Sequence, residues 1–365
     1  MSIFGEALAI SSLTHAPSPA PFDLPSATEV GTLGVFQLKR IWASQMAARR
    51  GERVSPDRRA EWQLDHVAFC ALNLALEETL QYLVRTGPTF EAFERWVLAR
   101  NDGALDARQV ARFNAMVTGD VVTGDVATGE PASSPREISD PVLSESDHAH
   151  FAEHGYVLVR GAIPREQAAA AAEALWHHRG MDPDGPSTWY PPSTHGIMVQ
   201  LFHHPALKAN RETPRVRRAF EEIWGRDDLW MTTDRVSFNP PERDGWRFPG
   251  PRLHWDADLS VRPLPFATQG LIYLTDTPAH QGAFALVPGF HRRLEGWLDA
   301  LPPGADPVNQ DLSGMAAQPI AGAAGDLVIW HHALPHGATP NTGTRPRIVH
   351  YVTMLETPRV AQRRA

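Results

Sequence analysis

A histidine and an aspartate separated by one residue, followed far along the chain by a second histidine and an arginine, constrain this sequence more than any other feature. The four residues are His254, Asp256, His336 and Arg347. On an extended strand, side chains at i and i+2 point to the same side, so His254 and Asp256 can bind one metal ion while Trp255 faces away. The second histidine must then come from a strand that lies alongside. The pattern predicts a sheet protein with a metal site.

Two imidazoles and one carboxylate form the ligand set that holds non-haem Fe(II) and leaves coordination positions open. The same set also serves zinc, so a zinc hydrolase is one alternative, and a metal-binding sensor or scaffold without catalysis is another. The planar guanidinium of Arg347 could take a carboxylate through two parallel hydrogen bonds. An arginine that binds a carboxylate favours iron and catalysis over both alternatives.

Other side chains compete for the metal. Asp258 also has even spacing from His254, but four residues span about 13 Å along a strand, so Asp256 is the predicted carboxylate ligand. His331 and His332 end an apolar run, and on composition alone either could be a ligand.

Several segments follow one another in an order that is typical of one family. They are residues 144–147, 151–159, 254–256, 281–291 and 336–341, with Arg347 beyond them. Segment 281–291 contains a Pro-Gly-x-His run with Phe290 where serine is usual. From about residue 143 to about residue 357, the chain resembles the phytanoyl-CoA dioxygenase family of Fe(II)- and 2-oxoglutarate-dependent oxygenases, which includes ectoine hydroxylase.

The resemblance implies an α+β fold with a catalytic double-stranded β-helix, a jelly-roll or cupin-like core, preceded by an all-α region. It implies Fe(II) held by His254, Asp256 and His336, with 2-oxoglutarate and O2 as co-substrates. It selects Arg347 over Arg345 for the distal carboxylate of 2-oxoglutarate, because Pro346 indicates that Arg345 is still in a turn. We expect no catalytic side chain beyond the metal centre.

The same match places Thr233 and Ser237 at positions that contact 2-oxoglutarate in ectoine hydroxylase. Ser237 stands where that relative has an amide side chain. Without the resemblance, both are polar residues on a half-buried strand.

Aromatic and polar side chains in the loops between these segments are candidates for substrate contacts, since such loops cover the mouth of the barrel. Loop aromatics also commonly pack into small satellite clusters, which is the alternative for each of them. The candidates are Gln200, Trp189, Tyr190, His195, Trp246 and Phe248.

Composition divides the chain into four parts. Residues 1–30 are rich in proline, serine and alanine and predict an irregular arm. Residues 31–118 have apolar residues at helical spacing and predict four helices, one of them unbroken from about residue 57 to about residue 85. A near-repeat of Val-Thr-Gly-Asp-Val opens a flexible linker over 119–140, and residues 141–365 form the predicted oxygenase domain. We expect the helices to cap the site, mediate homodimerisation or contact a carrier protein.

The net charge of −8 provides no electrostatic case for nucleic-acid binding. The single cysteine suits a reducing compartment, and the absence of an apolar run of about 18 residues argues against a membrane span. These features favour a cytoplasmic location. The acidic charge, together with the compact core that the resemblance implies, favours a biosynthetic enzyme that acts on a small metabolite or natural-product intermediate. Hydroxylation is the expected outcome, while desaturation, epoxidation and cyclisation use the same ligands. Related halogenases lack the carboxylate ligand, so Asp256 disfavours halogenation.

Overall fold

The computed structural model describes residues 22–54, 58, 61–119, 141–192, 195–250 and 253–358. The chain folds into two compact units. One unit contains residues 140–227 and 234–354, and the other contains residues 6–139, 228–233 and 355–365. Most of the predicted arm and nearly all of the predicted linker lie outside the described residues, so the proposed boundaries there stay predictions.

Five helices are described in the helical unit. They are α1 (Leu38–Arg49), α2 (Trp62–Ala71), α3 (Leu76–Thr86), α4 (Phe90–Ala99) and α5 (Ala107–Thr118). The prediction of one helix over 57–85 is wrong, because α2 and α3 are separate helices and the chain direction bends by 103° between them. Asn73 lies at the break with φ of 47°, a left-handed conformation that asparagine tolerates better than most residues. The break lets the neighbouring Leu72 and Leu74 both be buried in the core.

Trp230 completes the core of the helical unit, although it lies far along the chain. Its side chain is buried in the apolar cluster that α1 to α5 form. Arg112 places its guanidinium carbon 3.7 Å from the centre of the indole ring, and Phe113 meets the indole edge-on. The indole Nε1 donates to Thr357 Oγ1 at 3.1 Å. The unit is therefore built from three separate stretches of sequence.

No single described helix is long and apolar enough to cross a membrane. The pair α2 and α3 meets the length and composition criteria only when its two members are taken together.

The larger unit alternates helices and short strands. Its helices are α6 (Glu145–His154), α7 (Arg165–Arg179), α8 (Pro205–Glu212), α9 (Pro214–Trp224) and α10 (Leu294–Asp299). Its strands are β1 (Tyr156–Val159), β2 (Met198–Val199), β4 (Val236–Asn239), β5 (Thr268–Tyr273), β6 (Phe284–Leu286), β7 (Gln318–Ile320), β8 (Leu327–His331), β9 (His336–Ala338) and β10 (Arg347–Tyr351). Further short strands, β3 (Trp230–Met231) and β11 (Met354–Leu355), lie near the points where the chain passes between units.

Two antiparallel sheets form the barrel of this unit. The larger has the order β1-β8-β5-β10-β4-β2, and the smaller has the order β7-β6-β9. Apolar side chains from both sheets share one buried cluster, which includes Leu271, Trp330 and Val349 from the larger and Phe284 and Leu286 from the smaller. Two sheets that enclose a common core form a jelly roll, so the predicted α+β fold with a double-stranded β-helix is confirmed.

Gly270 shows how a helix covers the outer face of the larger sheet. A Cβ atom at this position would lie 2.8 Å from the ring of Phe220 on α9 and 2.8 Å from the carbonyl oxygen of Val352. Only glycine allows this approach, because real Cβ contacts do not fall below 3.0 Å. The inner face is left to side chains that point into the barrel.

Candidate metal centre

Three side chains of the jelly roll come close enough to share a metal ion. His254, Asp256 and His336 each offer one ligand atom, and these atoms lie within 4.8 Å of one another. The two Nε2 atoms lie 3.5 Å (His254) and 3.4 Å (His336) from different oxygens of the carboxylate. This is the only such group of histidine, cysteine or acidic side chains among the described residues.

The backbone holds the two histidines side by side. His254 N donates to His336 O at 2.9 Å, and His336 N donates to His254 O at 3.0 Å. This reciprocal pair is an isolated bridge. The expectation that His254 and Asp256 share a strand is wrong, since the chain bends at Asp256 directly after the bridge. The bend, rather than strand alternation, brings the carboxylate back towards the imidazoles.

The tautomer of His336 is set by its neighbour Leu334. Its Nδ1–H donates to the carbonyl oxygen of Leu334 at 3.0 Å, which leaves the lone pair of Nε2 facing Asp256. The ring is buried and packs 5.1 Å from that of Trp330. His336 is thus oriented before any ion binds.

The electrostatics at Asp256 favour its charged form. Desolvation by the surrounding protein raises the pKa of this carboxyl, but the interactions with the imidazoles of His254 and His336 outweigh that effect and hold the pKa well below its usual range. Gln269 Nε2 also donates to Asp256 Oδ2 at 2.8 Å. Nothing in the sequence distinguishes Gln269, because polar residues are common at the ends of strands.

The competing residues have other partners. Asp258 Oδ1 accepts from the backbone nitrogen of Ser260 at 3.0 Å and from its hydroxyl at 2.6 Å, and so stabilises a turn. His331 Nδ1 accepts from the backbone nitrogen of Ala333 at 3.0 Å. His332 Nε2 donates to Pro265 O at 2.6 Å. None of the three belongs to the metal-binding group.

Arg347 lies at the start of β10 and is fully buried. Its Nη1 donates to Ser237 Oγ at 2.8 Å, which brings two of the predicted 2-oxoglutarate residues together. Its Nε and Nη2 have no hydrogen-bond partner, and no acidic side chain in the described part of the chain forms an ion pair with it. A buried cation without a counter-charge is costly, so this position fits an anionic group.

Arg345 and Thr233 are placed differently. The side chain of Arg345 is 55% exposed and its Nη1 lies 3.3 Å from Asp184 Oδ1. Thr233 belongs to the helical unit, where its hydroxyl donates to Asn73 Oδ1 at 2.9 Å. Its predicted contact with 2-oxoglutarate has no counterpart in these hydrogen bonds and stays a prediction.

Two of the substrate candidates, Tyr190 and Trp246, meet in one cluster. Their rings lie 5.9 Å apart, and Tyr190 donates its hydroxyl hydrogen to Pro241 O at 3.0 Å. Arg243 covers the first of these rings, with its guanidinium carbon 3.4 Å from the centre of Tyr190. The aromatic cluster therefore combines a cation with two partly exposed rings.

The remaining substrate candidates are dispersed. Trp189 is buried and its Nε1 donates to Asp182 O at 2.8 Å, while Phe248 is buried with its backbone nitrogen bonded to Glu242. His195 is exposed and Gln200 is partly buried. Their roles in substrate binding stay predictions.

Comparison with known proteins identifies the family. The sequence profile described as Phytanoyl-CoA dioxygenase (PhyH) matches residues 151–349, which is 199 of the 365 residues. The chain belongs to the phytanoyl-CoA dioxygenase family. A relative from Dictyostelium discoideum with the same family description is 21% identical over 259 residues, or 57% of this chain and 74% of that protein. The matched span includes every residue of the metal-binding group and Arg347.

Solved structures also resemble the jelly-roll part at low identity. The non-haem α-ketoglutarate-dependent epimerase SnoN from nogalamycin biosynthesis is 20% identical, with a TM-score of 0.44, over 58% of this chain and 82% of its own. AviO1 from Streptomyces viridochromogenes Tue57 is 17% identical, with a TM-score of 0.42, over 60% of this chain and 97% of its own. With TM-scores below 0.5, the family profile alone carries the assignment.

Proposed function

We propose that this member of the phytanoyl-CoA dioxygenase family is an Fe(II)- and 2-oxoglutarate-dependent dioxygenase. It hydroxylates an unactivated C–H bond of a small metabolite or natural-product intermediate and releases succinate and CO2. The observation that carries the proposal is the pairing, in one jelly roll, of a two-histidine, one-carboxylate group with a buried arginine that forms no ion pair with any acidic side chain in the described part of the chain. A zinc hydrolase or a metal-binding scaffold has no use for such an arginine.

The donor set fits iron. Two imidazole nitrogens and one carboxylate leave open positions on Fe(II) for a chelating co-substrate and oxygen. When bound, the iron with 2-oxoglutarate and O2 supplies the oxidation that breaks a C–H bond. His254, Asp256 and His336 would hold the ion, and the side chains around them determine how each ligand is oriented.

Arg347 and Ser237 would bind the distal carboxylate of 2-oxoglutarate. The guanidinium already donates one bond to Ser237 and keeps two nitrogens for a carboxylate, which arginine binds through parallel hydrogen bonds. The barrel wall excludes water around Arg347, and this strengthens the charge pairing. Thr233 stays a further candidate for this contact.

The chemical outcome and the substrate form the finer part of the proposal. Asp256 occupies the position that a halide needs in related halogenases, so hydroxylation is favoured over halogenation. Desaturation, epoxidation and cyclisation use the same ligands and differ only in how the substrate is placed. The cluster of Tyr190, Arg243 and Trp246 offers flat rings beside a cation, which suits a small molecule with an unsaturated or anionic portion.

Oxygen consumption in the presence of Fe(II) and 2-oxoglutarate tests the reaction class. The protein should consume O2 and release succinate in a 2-oxoglutarate-dependent manner, and an added substrate should accelerate both. The Asp256→Ala variant is the control, because it removes a ligand at a half-exposed position without opening a cavity. Conversion of a substrate that requires zinc and proceeds without oxygen or succinate release would indicate a hydrolase instead. Metal binding without any turnover across a broad substrate panel would favour a scaffold.

The role of the helical unit is a separate proposal. We propose that it mediates homodimerisation or contacts a carrier protein, and the mass of the purified protein in solution tests the first of these.

A further inference from the structure

The carboxylate of Asp256 is the least constrained of the three metal-binding side chains. Its side chain is 54% exposed, whereas that of His336 is 5% exposed and that of His254 is 32% exposed. It also lies on a bend rather than in a strand ladder. A short exposed side chain on a bend can occupy several rotamers, and the one in the structure faces both imidazoles.

Gln269 supplies the constraint from a rigid element. Its Nε2 donates to Asp256 Oδ2 at 2.8 Å. Gln269 lies in β5, where it is paired with Trp330 on β8. Trp330 in turn packs against the ring of His336. The ladder that positions the amide is thus the same one that supports a histidine of the metal-binding group.

The orientation of the amide follows from its surroundings. Reversing it would place Gln269 Oε1, an acceptor, against Asp256 Oδ2, another acceptor. In the observed orientation Oε1 is buried and has no hydrogen-bond partner among the residues that the structure describes. A buried acceptor left without a partner costs about 1–3 kcal/mol, and in this orientation the bond from Nε2 to Asp256 offsets part of that cost.

We propose that Gln269 is a positioning residue that makes Asp256 a one-oxygen ligand. By donating to Oδ2, its amide holds the carboxylate in the rotamer that faces the imidazoles and reduces the capacity of Oδ2 to bind metal. Binding through one oxygen preserves a coordination position that binding through both would fill. The inference rests on the proposed metal centre and concerns a residue outside it.

Cobalt binding to the full-length protein tests this role without catalysis. Gln269→Met keeps the length of the side chain and removes the donor, and Gln269→Leu is a second variant of similar size. Gln281→Met is the matched control, because the amide of Gln281, which is buried, likewise donates one bond, to Asp276 O at 2.9 Å. The dissociation constant of Co(II) and its visible spectrum are measured beside the melting temperature of the metal-free protein.

We expect both Gln269 variants to bind Co(II) about 10–100-fold more weakly, which is the usual effect of removing a residue that orients a ligand. Their spectra should also change, whereas Gln281→Met should keep the wild-type affinity and spectrum even if it melts earlier. Wild-type affinity and spectrum in the Gln269 variants would overturn the role of Gln269 and leave the metal centre intact. A wild-type protein that binds no Co(II) would overturn the metal centre itself, and this inference with it.

Discussion

Replacing Arg347 with leucine should remove most of the stabilisation by 2-oxoglutarate and leave the stability of the empty protein nearly unchanged. In the absence of the co-substrate, Arg347 is a fully buried cation with one hydrogen bond, to Ser237, and no ion pair among the described residues. Loss of a hydrogen bond to a charged group costs about 1.5–3 kcal/mol. Removing an unpaired buried charge offsets that loss, because its desolvation costs several kcal/mol.

The co-substrate reverses this balance. A ligand at 100 times its dissociation constant stabilises the folded state by about 2.7 kcal/mol. For a unit of this size, that corresponds to a rise in melting temperature of about 5–10 °C. Truncating one partner of a buried charge pair costs about 2–5 kcal/mol, which weakens binding at least about 30-fold. The same concentration of 2-oxoglutarate should then leave the melting temperature of Arg347→Leu within about 3 °C of its value without the ligand.

Thermal unfolding of Co(II)-loaded protein with and without 2-oxoglutarate measures both effects. Arg347→Lys is the informative companion, because it keeps the charge and loses the planar pair of donors. It should restore part of the shift. The reasoning fails if Arg347→Leu responds to 2-oxoglutarate as the wild type does. It also fails if the empty variant unfolds more than about 10 °C earlier, since Arg347 would then be a structural residue.

Three further predictions follow from the site and the fold. Alanine at any residue of the metal-binding group should abolish iron binding, whereas Asp258→Ala should keep the iron, as measured by metal analysis. Arg345→Ala should change the Michaelis constant for 2-oxoglutarate by less than about fivefold, because exposed ion pairs contribute about 1 kcal/mol or less. Burial and then the charge of Arg211 hold the pKa of His350 well below 6.5, so the folded state excludes a proton that the unfolded chain binds. His350 therefore contributes stability above pH 6.5 that is lost as the pH falls, at up to about 1.4 kcal/mol per pH unit. Urea unfolding of metal-free wild type and His350→Leu at pH 7.5 and 5.5 should show a shallower fall in the variant, and equal slopes would contradict this.

The sequence was sufficient to predict the jelly roll, because its strands alternate with turn residues and its family segments keep their order. It could also identify the three side chains that come together in the candidate metal centre, since their types and spacing are unusual in combination. The local geometry of these residues could not be predicted from the sequence. The bend at Asp256 and the bridge between His254 and His336 arise from pairing between distant segments, and no local pattern records that pairing.

The residues whose roles the sequence did not reveal are of types that are common at such positions in strands and helices. Gln269 is a polar residue at the beginning of a strand, and only the approach of Asp256 gives its amide a role. Asn73 interrupts a run of apolar residues that has the spacing of one helix. That spacing does not reveal the break, because it does not show that Leu72 and Leu74 are both buried on either side of Asn73. Tertiary packing decided both positions.

The helical unit cannot finish folding when its own helices leave the ribosome. Its core includes Trp230, which contacts Arg112 and Phe113 and is hydrogen-bonded through its indole to Thr357, more than 200 residues after α5. Until that residue is synthesised, the site for Trp230 beside α5 stays incomplete and the indole lacks its hydrogen-bond acceptor. Synthesis of a distant downstream segment therefore completes the core of the helical unit, and nascent chains stalled before Thr357 should leave α5 accessible to chaperones or proteases.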